Sequence, residues 1–225
     1  DIDHRLLIPS LVDGVRINLD GDQANVRMEL EDDTHVLYQC PQEAVCLLES
    51  EQVNQEGIER LIAEKVREVV PKNIQSVKVE LRFDNAAEGE CFNYSHGLKG
   101  HKGNCQRLAH GHRSRIVVDV DDISRSDIAK AWVFRMRDCY IGSTADIVGR
   151  PKIAGSEYIQ FEYAVPQGRF FLEIPAARCY LLGSNSTIEL LAEHVLNTIR
   201  SSYPESKIKV RLLEGLGKGA IASTH

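Results

Sequence analysis

The feature of this 225-residue sequence that most constrains its fold is an internal repeat. The segment 36–48 (VLYQCPQEAVCLL) resembles the segment 170–182 (FFLEIPAARCYLL), with the proline and the closing Leu-Leu pair in matching places. Each copy is followed by apolar residues at helical spacing (55–70 and 186–202) and then by an alternating strand pattern (77–81 and 208–212). The second helix opens with Ser186-Thr-Ile-Glu189, a capping-box pattern. A period of about 130 residues indicates two tandem modules and excludes a solenoid.

The repeat predicts how the chain is divided. We expect a partial first module at 1–89 and a complete second module at 90–225, each of the α+β class, with antiparallel sheets that carry helices on one face. The first module lacks a counterpart of roughly 91–134, so we expect about 40–50 further residues, with an opening hairpin, to precede Asp1 in the natural protein. Sheets with open edges favour oligomerisation into a closed barrel.

Composition narrows the functional classes. The net charge of −6 argues against general nucleic-acid binding. No apolar run approaches the roughly 18 residues of a transmembrane helix, and no secretory signal opens the sequence. The six cysteines include no CxxC pair, which favours free thiols in a reducing compartment. Together these features predict a cytoplasmic protein with no membrane partner and no nucleic-acid partner.

Three histidines form a candidate metal site. His110 and His112 are followed by a segment rich in β-branched residues (113–120), so on a strand their side chains point to the same face. His96 precedes them by 14 residues, and Cys105 lies in between. Three imidazoles with an open fourth position are typical of catalytic zinc. His-x-His pairs also occur by chance on exposed strands, so the spacing alone leaves both interpretations open.

Several segments together resemble the family of 6-pyruvoyl-tetrahydropterin and 6-carboxy-tetrahydropterin synthases. The segment 92–96 is similar to a family strand that ends in Ser-His or Ala-His, and 105–112 is similar to the family's Cys-loop-His-Gly-His segment. Weaker similarities cover 2–6, 185–192 and 210–214. The resemblance implies the T-fold (tunnelling fold) for both modules and a ring-like, trimer-based homo-oligomer.

The resemblance also implies a chemistry and the residues that perform it. The expected enzyme is a zinc-dependent lyase that acts on the small molecule 7,8-dihydroneopterin triphosphate. Its product would be a 6-carboxy-tetrahydropterin, which the Cys-x-Arg-Leu run at 105–108 favours and which feeds queuosine-type synthesis, or a 6-pyruvoyl-tetrahydropterin. The implied metal ligands are His96, His110 and His112, the general base is Cys105, the acid/base relay is Asp3 with His4, the pterin anchor is Glu214, and the triphosphate ligands are Lys99, Lys102 and Arg107.

Each module departs from the family pattern. The second module carries Cys139-Tyr140 at about the place where the first has Asp3-His4. We therefore expect about one site per chain, to which the first module lends Asp3 and His4. The alternatives are a degenerate paralogue that binds a pterin or a purine-like heterocycle without turnover, and a metal-binding structural module. The Gly-rich stretch 215–219 (GLGKG) lacks the full Walker spacing and is interpreted as a turn.

Overall fold

The computed structural model describes residues 4–82, 90–215 and 217–224, so the predicted relay residue Asp3 lies outside the described residues. The first half of the chain contains β1 (Leu6–Pro9), β2 (Val15–Asp20), β3 (Gln23–Glu29), β4 (His35–Pro41), β5 (Val45–Leu48) and α1 (Gln55–Val69). The second half contains β6 (Glu90–His96), β7 (His110–Val120), β8 (Ile123–Ser124), α2 (Ser126–Met136), β9 (Cys139–Ser143), β10 (Ile147–Gly149), β11 (Lys152–Ile153), β12 (Ser156–Val165), β13 (Gly168–Pro175), β14 (Cys179–Leu182), α3 (Ile188–Arg200), β15 (Ile208–Glu214) and β16 (Gly219–Ser223). None of the helices in these described ranges is long and apolar enough to cross a bilayer.

The two halves repeat the same local structure. A 3-10 turn separates β4 from β5, and another separates β13 from β14. β1 pairs in parallel with β5, and β9 pairs in parallel with β14, in the same register. This register matches His4 with Asp138, and both residues have the left-handed φ that non-glycine residues rarely adopt, at 58° and 55°. The sequence comparison, which matched Asp3-His4 with Cys139-Tyr140, is therefore displaced along the chain. The exact register of a repeat is set by the pairing of its strands, which the sequence does not show.

The strands form two seven-stranded sheets and the small β1–β5 pair. The first sheet has the order β10-β12-β13-β4-β3-β2, with β11 beside β12, and it joins the two halves where β13 pairs with β4. The second has the order β14-β9-β6-β7-β15-β16, with β8 beside β7. The strand pairs of the first sheet are antiparallel, as predicted. In the second sheet β9 runs parallel to both β14 and β6, so this sheet is mixed and the prediction of antiparallel strands is wrong for it. A parallel pair needs a long crossover, and between β6 and β9 this crossover contains α2.

One predicted strand does not form. Residues 75–82 contain no strand, although their pattern alternates like that of β15. β15 is held between β7 and β16, whereas the described residues of the first half, 4–82, offer no such pair of flanking strands. Leu81 instead donates its backbone N–H to the Glu59 side chain of α1 at 2.9 Å. A strand pattern needs a hydrogen-bonded neighbour to become a strand.

The second sheet packs α2 and α3 on one face, and this face changes from apolar to polar at one end. On β6 the buried residues run Phe92, Tyr94, His96, and on β15 the apolar Leu212 is followed by Glu214. α3 begins beside this polar end, and six of its residues are buried against the core. Its N-cap is Thr187, which accepts from the N–H of Leu190, rather than the predicted Ser186.

Candidate metal and catalytic site

The three predicted metal ligands lie together on two neighbouring strands. His96 on β6 is directly opposite His110 on β7, and His112 follows two residues later on the same face. The ring centroids are 4.6 Å apart for His96 and His110, 4.8 Å for His96 and His112, and 5.0 Å for His110 and His112. The His96 and His110 residues are only 1% and 2% exposed, so the cluster lies below the surface.

Each of the three rings has its Nδ1 atom engaged by an acceptor. His96 Nδ1 is 3.0 Å from the carbonyl oxygen of Ser186 and 2.9 Å from its hydroxyl. His110 Nδ1 is 3.0 Å from the carbonyl oxygen of Arg107, and His112 Nδ1 is 2.7 Å from Oε1 of Glu214. A carbonyl or carboxylate at Nδ1 places the ring proton there and leaves the lone pair on Nε2. All three imidazoles are thus in the tautomer in which Nε2 can bind a metal.

The Nε2 atoms of His96 and His110 are suited to bind a metal ion. Both atoms are buried and meet no hydrogen-bond partner within the described part of the chain. A buried polar atom without a partner is costly, and coordination of a cation would satisfy both of these lone pairs. Burial, followed by the neighbouring histidines, lowers the pKa of His96 well below its usual range, and burial lowers the pKa of His110 to about 4. Both rings are therefore neutral near pH 7, which is the form that coordinates a divalent cation.

Two further residues extend the histidine cluster. The potential ligand atoms of His4, His110 and His112 all lie within 4.8 Å of one another, and the same holds for His96, His112 and Glu214. His112 belongs to both groups, whereas the predicted set of His96, His110 and His112 is not itself a group with all ligand atoms this close among the described residues. Imidazole nitrogens, with at most one carboxylate oxygen, are a donor set that suits zinc.

The thiol and the first-half histidine meet beside this cluster. Cys105 Sγ is 3.3 Å from Nε2 of His4, and the His4 ring centroid is 4.8 Å from that of His110. Cys105 is half-buried in a 3-10 turn that precedes β7. Arg107 donates from Nη1 to the backbone carbonyl of His4 at 3.4 Å, which fastens the start of the first half to the second. A residue of the first half therefore reaches the thiol within one chain.

Glu214 is placed against His112. Oε1 contacts His112, while Oε2 is 3.3 Å from the ammonium of Lys218. Burial by itself would raise the pKa of Glu214, but His112 and Lys218 outweigh it and hold the pKa at about 2. The carboxylate is therefore ionised, and both of its oxygens are engaged.

The three predicted triphosphate ligands lie in different environments. Lys99 is half-exposed, with its ammonium 3.5 Å from the buried carboxylate of Asp146, and Lys102 is exposed. Arg107 is only 3% exposed and holds the carbonyl of His4. Lys99 and Lys102 are thus accessible to an anion from solvent, whereas Arg107 is part of the wall of the site.

Of the comparisons with known proteins, the one with solved structures gives matches. No protein-family model matches the sequence, and no curated protein matches it. Among solved structures, 6-pyruvoyl tetrahydropterin synthase from Plasmodium falciparum aligns with a TM-score of 0.44 at 17% identity, over 60% of this chain and 91% of that chain. The enzyme from Plasmodium vivax aligns with a TM-score of 0.43 at 14% identity, over the same shares. The chain is similar to 6-pyruvoyltetrahydropterin synthases.

Sequence reasoning missed two residues of the site. Tyr94 lies opposite His112, with its ring centroid 5.7 Å from that of His112 and 5.2 Å from that of His96. Ser186 holds His96 from the segment before α3. Alternation on β6 puts Tyr94 on the same face as His96, so its position was predictable, whereas the contact of Ser186 depends on how α3 packs on the sheet.

Proposed function

We propose that this protein is a zinc-dependent carbon–oxygen lyase of pterin biosynthesis that acts on 7,8-dihydroneopterin triphosphate. One observation carries the proposal. Among residues 4–82, 90–215 and 217–224, the buried Nε2 atoms of His96 and His110 meet no hydrogen-bond partner, and they lie beside the ring of His4, whose own Nε2 is 3.3 Å from the Cys105 thiol. A metal site with an adjacent thiol and imidazole has the groups that deprotonate a carbon next to a hydroxyl.

Each residue of the site would have a separate role in the reaction. His96, His110 and His112 hold the zinc, which when bound supplies a Lewis acid beside the substrate hydroxyls. Cys105 accepts the proton from the carbon through Sγ, and His4 Nε2 stands at 3.3 Å to take the thiol proton. The triphosphate leaves with the electron pair of the carbon–oxygen bond that breaks. Lys99 and Lys102, which are accessible from solvent, would receive its charge, and Asp3 would complete the relay with His4.

The finer assignments belong to the same proposal. The favoured product is a 6-carboxy-tetrahydropterin, whose formation also consumes water and breaks a carbon–carbon bond of the side chain, with the other two carbons leaving as acetaldehyde. The other branch is 6-pyruvoyl-tetrahydropterin, in which the side chain is rearranged and keeps all three carbons. The two halves would be tandem T-fold modules, divided near residue 89, in a cytoplasmic, ring-like and trimer-based homo-oligomer. The contact of His4 with Cys105 supports one site per chain, because the first half lends its histidine to the second.

One observation favours a second candidate, a paralogue that binds a pterin or purine-like ligand and retains the metal without turnover. The residue expected to anchor the pterin, Glu214, has both oxygens engaged, by His112 and by Lys218. A heterocycle that needs paired hydrogen bonds from this carboxylate would have to displace one of these partners.

Product analysis by mass spectrometry after incubation with 7,8-dihydroneopterin triphosphate tests the proposal. The expected result is release of triphosphate with a 6-carboxy or 6-pyruvoyl product, and loss of both in Cys105→Ser. An Asp119→Asn variant is a matched control, because Asp119 pairs with Arg211 near the far end of β7. Zinc-loaded protein that binds the substrate and leaves it unchanged would contradict the lyase and support the binding paralogue.

A further inference from the structure

The three histidines differ in the group that holds Nδ1. His96 and His110 are held by neutral acceptors, the Ser186 and Arg107 carbonyl oxygens, whereas His112 is held by the carboxylate of Glu214 at 2.7 Å. Hydrogen bonds to an ionised acceptor are shorter and about twice as strong as neutral ones. A carboxylate at Nδ1 also makes the opposite nitrogen a more basic metal ligand. Among these three ligands, His112 is therefore the one with the strongest support.

Gly215, Gly217, Lys218 and Gly219 explain why Glu214 stays in place. Glu214 ends β15 opposite Ser114, and its N–H donates to the Lys218 carbonyl oxygen at 2.8 Å, which closes the turn to β16. Gly215 and Gly217 have φ values of 85° and 67°, which glycine adopts without strain. A Cβ on Gly219 would lie 2.3 Å from the Leu212 carbonyl oxygen, so the chain returns too closely for any other residue.

The same turn brings a cation to the far side of the carboxylate. Lys218 Nζ is 3.3 Å from Oε2 of Glu214, while Oε1 faces His112. The Glu214 side chain is only 11% exposed, so the His112 contact is shielded from water, whereas the Lys218 side chain is 70% exposed. A carboxylate gripped at both oxygens has little freedom to rotate away from the imidazole.

We propose that Glu214 is a positioning residue of the metal site, which holds His112 through Nδ1 so that Nε2 faces the metal, and that the contacts of Lys218 and the close return of the chain at Gly219 keep it there. This inference rests on the metal site proposed above. It changes the role expected for Glu214, from a group that binds the substrate to one that acts through a ligand. It also gives a function to a Gly-rich stretch that has no phosphate-binding spacing.

Zinc affinity in the absence of any pterin tests the inference, by competition with a chromophoric chelator. Glu214→Gln keeps the size of the side chain and removes its charge, and we expect zinc binding to weaken about 10- to 100-fold. Glu214→Asp is expected to weaken it as well, because the shorter side chain does not reach Nδ1 at the same distance. Lys218→Met should have a smaller effect than Glu214→Gln, since Lys218 contacts only the far oxygen. The Asp119→Asn control should bind zinc like the wild type.

Cobalt substitution separates a residue that positions a ligand from one that is itself a ligand. The visible spectrum of the cobalt-loaded Glu214→Gln protein should retain the band positions of the wild type, because the ligand atoms are unchanged. A shift to a different coordination geometry would show that Glu214 is itself a ligand and would overturn the inference. Wild-type zinc affinity in Glu214→Gln would also overturn the inference, even if the variant lost pterin binding or thermal stability.

Two comparisons separate failure of the Glu214 role from failure of the variant to fold and from failure of the proposed function. If Glu214→Gln does not fold, as judged by circular dichroism, Glu214→Asp carries the same comparison, and wild-type zinc affinity in that variant overturns the inference. A wild-type protein that binds no zinc would remove the proposed function itself. A wild-type protein that binds zinc beside an unaffected Glu214→Gln would remove only the role of Glu214.

Discussion

Cys105 Sγ lies 3.3 Å from Nε2 of His4, although 101 residues separate the two along the chain. The contact joins the first turn of the described structure to the loop that precedes β7, beside the histidine cluster. Arg107 reinforces it by donating to the His4 carbonyl oxygen. The two groups can therefore act as an acid/base pair within a single chain.

The first prediction concerns this pair. Replacement of His4 by Gln should lower kcat about 10²- to 10⁴-fold, the usual contribution of a positioned acid or base, while zinc content stays at the wild-type level. The measurement is turnover together with elemental analysis of the same sample. Loss of zinc in His4→Gln would contradict this prediction and would make His4 a metal ligand.

The second prediction concerns thiol reactivity. Cys40 is fully buried, and burial raises its pKa to about 12, so it is a neutral thiol at pH 8 and should resist alkylation in the native state. Cys105 is half-buried and touches an imidazole, so iodoacetamide should modify it first of these two. Peptide mass spectrometry after a timed reaction measures both sites. Equal modification of Cys40 and Cys105 in folded protein would be the contrary result.

The third prediction concerns the contact between the two halves, where β4 pairs with β13. His35 on β4 and Glu173 on β13 are both buried, with Nε2 and Oε1 2.9 Å apart, and the Tyr158 hydroxyl lies 3.2 Å from His35 Nδ1. His35→Leu removes one hydrogen-bond partner of the buried Glu173 side chain and should lower the free energy of unfolding by about 1–3 kcal/mol. Urea denaturation measures this difference.

A surface ion pair on the same sheet provides the control for the stability change in His35→Leu. Arg169 and Glu162 are 2.7 Å apart, but the arginine side chain is 71% exposed. Arg169→Gln should therefore change stability by less than about 1 kcal/mol. A His35→Leu effect no larger than that of Arg169→Gln would show that the buried network does not hold the two halves together.

The fourth prediction concerns pH in the chelator-treated, zinc-free protein. Burial lowers the pKa of His96 and His110, the latter to about 4, so below pH 6.5 the unfolded chain binds protons that the folded chain does not. Stability is therefore complete above pH 6.5 and declines as the pH falls towards 4. Thermal unfolding at a series of pH values measures the decline.

Two histidine variants separate this effect from general acid sensitivity. His110→Gln should flatten the dependence between pH 6.5 and pH 4, because it removes one of the groups that titrate on unfolding. His101→Gln changes an exposed histidine and should leave the dependence unchanged. An identical slope in all three proteins would contradict the assignment to the buried cluster.

The sequence could predict what depends on local spacing. The helix expected at 55–70 is found at Gln55–Val69, and the one expected at 186–202 is found at Ile188–Arg200, because apolar residues at helical spacing direct one face inwards. The common face of His110 and His112 follows in the same way from the alternation of a strand.

The sequence could not predict what depends on pairing between distant segments. The pattern at 77–81 alternates correctly, yet it forms no strand, since strands are stabilised by their neighbours. The contact of Glu214 with His112 comes from the register of β15 against β7. Ser186 contacts His96, and the N-cap of α3 is Thr187. Each of these features requires knowledge of which element lies beside which.

The most direct test of the account is the zinc content of three purified proteins: the wild type, Cys105→Ala and His110→Ala. The account predicts about one zinc per chain in the wild type and in Cys105→Ala, because the thiol lies beside the ligands and is not one of them, and loss of zinc in His110→Ala. A wild-type protein without zinc, or a His110→Ala protein that retains it in full, would contradict the assignment of the histidine cluster as the metal site.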